Sequence, residues 1–253
     1  MVLSRFLLLQ ARNADDPVRL EELRCFAARL GVPLAQITPV DVLRDPLDEA
    51  LLSGPEVLLV GGAGEHSVLD DTPQIRRFVA FVAEAARRRK PMFASCFGFQ
   101  ALVLGLGGEV IHDESMAEVG SYPLVPSADA QADPLFAALP SPFIAQLGHK
   151  DRASRLAPGM TNLASSERCP FQAVRVEGAP VYATQFHPEM TWLDNRSRFE
   201  RYIHQYGDTL FGADEARRRW ESHQPGPEAN DLLRRFAAWV GAAELDTTSK
   251  RMT

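Results

Sequence analysis

The amino-acid sequence predicts an α/β protein with a mainly parallel, doubly wound sheet that carries helices on both faces. Short apolar runs alternate with amphipathic stretches of helical period through the first two-thirds of the 253 residues. Shorter apolar runs then predict a partly antiparallel extension of the sheet, followed by C-terminal helices. A composition of 45% hydrophobic and 24% charged residues suits a globular chain of this class.

The first strand and helix are predicted near the N-terminus. Residues 6–9, Phe-Leu-Leu-Leu, are expected to form a central strand. Asp16 and Pro17 predict the start of a helix, because Asp caps free backbone amides and Pro suits the first turn. Gly31 predicts its end. The predicted inner face of this helix carries Leu20, Leu23, Ala27 and Leu30.

Two further strand–helix units lead to the candidate site. Residues 56–60 predict a strand that closes on the glycine loop 61–64, and Thr72-Pro73 predicts the start of the next helix. Residues 91–95 predict a third strand, which runs into Cys96 and a helix over 97–106. Because sites in such sheets form beyond the carboxyl ends of the strands, both the glycine loop and Cys96 fall where a site is expected.

The last third of the chain predicts short strands and then helices. Strands are expected at 143–147, 162–165, 172–176 and 181–186, with a hairpin turn at 178–180, and helices at 194–206 and 214–223. A final amphipathic helix is expected to pack on its own domain through Leu232, Leu233, Phe236 and Val240. This predicts a main domain over 1–206, a helical extension over 207–246 and a disordered tail over 247–253.

Charge and cysteine content restrict the function classes. A net charge of −6, without basic runs interleaved with aromatics, argues against a nucleic-acid partner. Three cysteines, Cys25, Cys96 and Cys169, favour a reducing compartment over a disulfide framework. The apolar N-terminal run is too short to span a membrane or to form a signal-peptide core. We therefore expect a cytoplasmic protein with no membrane partner.

The segment around Cys96 predicts a nucleophile. A strand turns directly into a helix there, which is the geometry of a nucleophile elbow, and the small residues Ala94 and Gly98 satisfy its steric demand. The helix N-terminus favours the reactive thiolate over the thiol. The amide of Phe97 is placed to bind a developing oxyanion. The alternative is that Cys96 is simply a small buried hydrophobic residue.

Residues 182–189, Tyr-Ala-Thr-Gln-Phe-His-Pro-Glu, predict the partners of this nucleophile. In extended chain, residues two apart face the same side, so His187 and Glu189 are expected to point into one cleft. His187 would act as base and acid, and Glu189 would hold its tautomer. A half-exposed strand end and a metal pair are the alternatives, but no third ligand completes a zinc motif. We expect neither metal nor cofactor.

The glycine loop supplies a candidate second oxyanion donor. Gly61-Gly62-Ala63-Gly64 lacks the Gly-Lys-Ser/Thr of a phosphate-binding loop and does not fit G-x-G-x-x-G. A glycine after a strand can turn its peptide N–H into the site, and Gly62 is the candidate. A plain tight turn is the alternative.

These segments together resemble the class I (triad) glutamine amidotransferases. The resemblance rests on Cys96-Phe97-Gly98-Phe99-Gln100, the Gly61-Gly62 pair and Gln185-Phe186-His187-Pro188-Glu189, and it covers about residues 6–206. It implies a flavodoxin-like fold and a triad of Cys96, His187 and Glu189. The nearest similarity is to the stand-alone, GMP-synthase-like branch.

The resemblance also implies how glutamine is bound. Residues 117–123 resemble the Glu-Ile-Gly-Trp-Phe-Pro segment of that branch, and residues 148–151, Gly-His-Lys-Asp, resemble its His-Gly-Asp segment. By this resemblance Gln100 and the backbone near Gly120, Ser121 and Tyr122 would hold the α-groups of glutamine.

Three departures from the family pattern stand out. Ala94 replaces a usual Gly, Phe99 stands where His or Met is common, and no Ser-Gly-Gly-x-Asp-Ser segment of an ATP pyrophosphatase follows. The synthetase half is therefore expected to be absent or to be another chain.

Three function hypotheses remain open from the sequence. A glutamine amidotransferase would form a γ-glutamyl thioester, release ammonia and pass it to a synthetase partner or an acceptor. A γ-glutamyl hydrolase or peptidase would use the same triad on γ-glutamyl amines or peptides without a partner. A non-catalytic binding domain that retains the fold is the third.

Overall fold

The elements follow the predicted alternation of strands and helices. The computed structural model describes residues 5–206 and 212–251. Its strands are β1 (Phe6–Ala11), β2 (Ile37–Asp41), β3 (Val57–Ala63), β4 (Met92–Ser95), β5 (Glu109–His112), β6 (Glu118–Pro126), β7 (Phe143–His149), β8 (Asp151–Arg155), β9 (Met160–Ser165), β10 (Ala173–Val176) and β11 (Val181–Thr184). Its α-helices are α1 (Val18–Leu30), α2 (Glu49–Ser53), α3 (Pro73–Arg87), α4 (Phe97–Gly105), α5 (Trp192–Tyr206), α6 (Ala213–Glu221), α7 (Pro227–Asn230) and α8 (Leu232–Arg251).

One nine-stranded sheet runs through the molecule in the order β2-β1-β3-β4-β11-β10-β9-β6-β7. The neighbours from β2 to β11 pair in parallel, and the neighbours from β11 to β7 pair antiparallel. Strands β5 and β8 form a separate antiparallel pair. The predicted fold class is confirmed, including the antiparallel extension. Gly178 closes the β10–β11 hairpin with a φ of +68°, which glycine adopts without strain.

Alternate residues of the central strands enter two separate cores. Phe6 and Leu8 of β1 face the core covered by α1 and α8, while Leu7 and Leu9 face the core covered by α3 and α4. A parallel sheet buried on both faces needs apolar residues in succession, which explains the continuous Phe-Leu-Leu-Leu run.

Helix α8 packs on its own domain, as expected. Leu232, Leu233 and Phe236 are completely buried, and Val240 is nearly so. The Phe236 ring contacts two strand aromatics, Phe93 at 5.4 Å and Tyr182 at 6.2 Å between ring centroids. The extension thus contributes to the main core.

Two local predictions differ from the structure, and a third lies beside residues that it does not describe. Leu20 is 50% exposed, because the inner face of α1 instead carries Val18, Phe26 and the buried, ion-paired Glu22. Helix α8 continues through Arg251, so 247–251 are helical where a disordered tail was predicted, and 252–253 lie outside the described residues. The predicted domain boundary at 206/207 adjoins 207–211, which also lie outside them. Across the described ranges no helix has the length and apolar character needed to cross a bilayer.

Candidate active site

Cys96 occupies a sharp turn between a strand and a helix. Strand β4 ends at Ser95, and α4 begins at Phe97. Cys96 adopts φ 50° and ψ −101°, a strained conformation for a residue with a Cβ. The turn also requires a small residue at Gly98, where an added Cβ would lie 2.6 Å from Val60 Cγ1. The local geometry is that of the predicted elbow.

The sulfur of Cys96 lies at the floor of a cleft and is surrounded by polar groups. The residue is 8% exposed. Its sulfur accepts a hydrogen bond from Gln185 Nε2 at 3.7 Å and lies 4.0 Å from the carbonyl oxygen of Gly148. Phe97 is the first residue of α4, and the amides of a first helical turn have no partner within the helix. The sulfur thus lies among polar groups at the start of a helix.

His187 and Glu189 form a buried pair beside Cys96. His187 Nδ1 and Glu189 Oε1 are 2.6 Å apart, and the residues are 6% and 0% exposed. Strand β11 ends at Thr184, so the two side chains meet across a turn and not, as predicted, along extended chain. The backbone amide of His187 donates to Gln146 O at 2.9 Å, which fixes this turn on β7.

The charges in this site shift the pKa values of His187 and Glu189. Burial acts to lower the pKa of His187, but the charges of Glu189 and Cys96 and their hydrogen bonds overcome it and raise the pKa to about 10. Burial acts to raise the pKa of Glu189, but the charges of His187 and Arg198 hold it below its usual value. Both shifts favour a charged pair, an imidazolium at His187 against a carboxylate at Glu189.

The C-terminal extension holds the turn that carries Glu189. Asn230, the last residue of α7, donates through Nδ2 to Pro188 O at 2.8 Å and to Met190 O at 2.7 Å. These carbonyls flank Glu189 on both sides. One amide group therefore ties the turn that carries Glu189 to the extension.

The Gly62 amide is engaged away from the cleft. Glu22 Oε1 accepts from Gly62 N at 3.2 Å and from Arg12 Nη2 at 2.9 Å. Gly61 and Gly62 belong to β3 and not to a loop. In this conformation Gly62 N–H is not presented to an oxyanion, contrary to the expectation from the sequence, because the carboxylate of Glu22, 40 residues earlier, accepts a hydrogen bond from it. What Gly62 does contribute is space for the imidazole of His187.

Because the sequence predicts a catalytic role for His187, Gly62→Ala is expected to lower kcat/KM about 10–100-fold without unfolding the protein. Misplacing a catalytic group by even about 1 Å is costly. The added Cβ would lie 2.9 Å from His187 Cε1, so the ring must move. Steady-state kinetics and a melting curve check this result. Gly241→Ala, the same change in open space on α8, is the matched control. Equal kinetics for the two variants would contradict the packing argument.

A cleft of about 520 Å³ opens above Cys96. Phe97 and Gln100, two of the candidate site residues, line it. Gln100 Nε2 donates to Asp151 O at 2.7 Å and to Gln185 Oε1 at 3.3 Å, and Gln185 in turn donates to the Cys96 sulfur. Gln100 thus also orients the side-chain amide of Gln185, which contacts the Cys96 sulfur.

Gly120, Ser121 and Tyr122 do not line this cleft; their neighbour Val119 does. The Ser121 hydroxyl accepts from Gln224 N at 2.9 Å, and Tyr122 Oη accepts from Arg219 Nη1 at 2.9 Å. The extension therefore covers the backbone that the family resemblance assigned to substrate. Its position could not be predicted, because these contacts join residues about a hundred positions apart.

The cleft also carries polar side chains that were not among the candidate site residues. Asp151 bonds His112 Nδ1 at 2.7 Å and accepts from the Ser67 hydroxyl. Lys150 and His66 also line the cleft. Two sequence signals pointed to these residues: residues 148–151 resemble a family segment, and His66 follows the glycine loop. His112 gave none. Within 5–206 and 212–251, no three His, Cys, Asp or Glu side chains are grouped as a metal site requires.

The fold and the site together define a class of protein. A cysteine on a strand-to-helix elbow, beside a buried histidine–glutamate pair at the carboxyl edge of a parallel sheet, is the arrangement of a cysteine-nucleophile α/β enzyme. The comparison with protein families gives the particular one. The chain belongs to the class-I glutamine amidotransferase family, whose model matches residues 28–202.

Proteins of similar sequence include glutamine-hydrolysing GMP synthases. The enzyme of Thermosipho melanesiensis is 29% identical over 157 residues, which cover 62% of this chain and 28% of that protein. A glutamine-hydrolysing GMP synthase subunit of Methanothermobacter thermautotrophicus is 30% identical over 145 residues, covering 57% of this chain and 71% of that protein. The chain thus spans little more than a quarter of the Thermosipho enzyme.

Solved structures share the whole fold. A glutamine amidotransferase from Methylobacillus flagellatus superposes with a TM-score of 0.70 at 21% identity, covering 95% of each chain. One from Thermotoga maritima gives a TM-score of 0.67 at 19% identity, over 93% of this chain and 97% of that one. At these identities the likeness shows the fold.

Proposed function

We propose that this protein hydrolyses the γ-amide of glutamine through a Cys96–His187–Glu189 triad and a γ-glutamyl thioester. The observation that carries the proposal is the charged group at the cleft floor: a thiol on a strained elbow, beside an imidazole that a buried carboxylate contacts at 2.6 Å. The pKa of His187, raised to about 10, supports an imidazolium ready to donate a proton.

The first half-reaction acylates the enzyme. The Cys96 thiolate attacks the amide carbon, and the C=O electron pair moves to oxygen, where the Phe97 amide stabilises it. The tetrahedral intermediate collapses, the C–N bond breaks, and His187 donates its proton to the departing ammonia. Glu189 keeps the proton on His187 Nδ1 and leaves Nε2 as the atom that exchanges protons.

The second half-reaction releases glutamate. Neutral His187 takes a proton from water, and the hydroxide attacks the thioester carbon. Collapse of the second tetrahedral intermediate expels the Cys96 thiolate and restores the imidazolium–thiolate pair. Gly62 enters this scheme as a second oxyanion donor only if its peptide leaves Glu22 when substrate binds.

The remaining binding and partner roles follow from the cleft. Gln100 would contact the substrate through its side-chain carbonyl oxygen. Gly120, Ser121 and Tyr122 would need the extension to move before they could bind the α-groups of the substrate. Ammonia would pass to an acceptor, and the named GMP synthase relatives make a synthetase partner chain one candidate. Three free cysteines support a reducing compartment such as the cytoplasm.

A second candidate is hydrolysis of γ-glutamyl amines or peptides. The cleft favours it, because a space of about 520 Å³ extends past Cys96 to Ser67, Asp70 and His112 and could hold a leaving group larger than ammonia. The triad chemistry is unchanged, with an amine in place of ammonia.

A substrate panel tests the proposal. Glutamate release is measured from glutamine, γ-glutamyl peptides, γ-glutamyl amines and glutathione conjugates, with Cys96→Ala as the blank. Preference for glutamine supports the first candidate, and preference for a larger leaving group supports the second. Stimulation by an added synthetase chain would support ammonia transfer, and no release from any of these compounds would contradict both candidates.

A further inference from the structure

Arg198 is a buried arginine whose charge acts on the carboxylate of Glu189. Arg198 belongs to α5, which starts two residues after Met190, and its side chain is 8% exposed. Its Nε donates to Glu21 Oε1 on α1 at 3.1 Å. Its Nη2 is buried, and no described residue accepts a hydrogen bond from it. The mechanism above gives this charge no role.

Glu189 also has a buried polar atom without a hydrogen-bond partner among the described residues. Its Oε1 bonds His187, but its Oε2 is buried and has no hydrogen-bond partner among the described residues. A completely buried carboxylate with one oxygen unpaired is costly to keep ionised unless nearby positive charge compensates it. Among the described residues, the charge of Arg198 acts with that of His187 to lower the pKa of Glu189.

Other titratable groups packed around this pair do not replace Arg198. Burial raises the pKa of the Cys25 thiol on α1 to about 12, so it stays neutral. Burial likewise raises the pKa of Tyr202 on α5. Glu21 opposes Arg198 but is 28% exposed, so solvent weakens its effect on the interior. The further charged groups at this site are Asp194 and Arg201 on α5 and the Cys96 thiolate beside His187.

We propose that Arg198 is a positioning residue for the triad, acting through Glu189. Its positive charge keeps Glu189 ionised, and Glu189 in turn keeps His187 protonated and oriented beside the Cys96 thiolate. Without the positive charge of Arg198, the group formed by Glu189, His187 and Cys96 takes up a proton more easily. The Cys96 thiolate then forms only at higher pH. The meaning for catalysis rests on the proposed function, but the charge coupling does not.

The test follows the thiolate itself. The rate of alkylation of Cys96 by iodoacetamide is measured against pH, with peptide mass spectrometry to assign the modified cysteine. In Arg198→Met the midpoint is expected to move upward by about 0.5–1 pH unit, as loss of a nearby charge at intermediate effective dielectric implies. Arg198→Lys, which retains the charge, should keep the wild-type midpoint.

Arg201→Met is the matched control. Arg201 contacts the same Glu21 but is 39% exposed, so its loss should leave the midpoint unchanged. If Arg198→Met fails to fold, Arg198→Gln removes the charge but keeps a hydrogen-bond donor for Glu21, and the same shift is expected.

The outcomes separate the proposals. A purely structural role would lower the melting temperature without moving the midpoint, and a folded neutral variant with the wild-type midpoint overturns the inference. An equal shift in Arg198→Lys overturns it as well. Because alkylation requires no turnover, absence of glutaminase activity would contradict the proposed function and leave this test intact.

Discussion

Cys96→Ala is expected to abolish glutamate release, lowering kcat by about four orders of magnitude or more, as loss of a nucleophile does in other triad enzymes. Alanine cannot form the thioester, and neither of the other cysteines stands on an elbow. The fold should persist, because the change removes one atom from a site that is open to the cleft. Stopped-time assays for glutamate and ammonia measure the loss, and circular dichroism checks the fold.

Cys169→Ala is the control for this prediction. Cys169 is completely buried, and burial raises the pKa of its thiol to about 11, so it is not a nucleophile at neutral pH. The variant should retain wild-type turnover. Residual activity of Cys96→Ala near the wild-type rate would remove Cys96 from the mechanism.

Glu189→Gln is expected to reduce kcat/KM by about 10²–10⁴-fold, since an amide in place of the carboxylate no longer holds the correct imidazole tautomer. It also removes the charge that raises the pKa of His187 to about 10. His187 should then lose its proton at lower pH, so the alkaline limb of the pH–rate profile should move downward. Rates measured from pH 5 to 10.5 check both effects.

Glu177→Gln, the same chemical change at an exposed position near the β10–β11 hairpin, is the control and should leave the profile unaltered. An unshifted alkaline limb in Glu189→Gln would mean that Glu189 does not govern the protonation of His187.

The parts of the site that could be predicted are those whose residues lie close together in the sequence. The elbow depends on Ala94, Cys96 and Gly98, which lie close together in the sequence, although the closest contact at Gly98 is with Val60 of β3. His187 and Glu189 are also two residues apart, so their pairing was predictable. The geometry was not: a turn, held by Asn230, brings them together.

The parts that could not be predicted depend on contacts between distant segments. Gly62 donates to Glu22, a polar residue on the inner face of α1 where the apolar pattern had favoured Leu20. The hydrogen bond from Gln224 N to the Ser121 hydroxyl joins residues that are 103 positions apart. Periodicity reports which face of a helix is apolar, but it does not report a buried ion pair that changes that face.

The central claim, that Cys96 is the nucleophile of a glutaminase site, is tested most directly by labelling with an electrophilic glutamine analogue and mapping the adduct by mass spectrometry. We predict one adduct per chain, on Cys96, formed more slowly in Glu189→Gln and prevented by excess glutamine. An adduct on Cys25 or Cys169, or none at all, would contradict it.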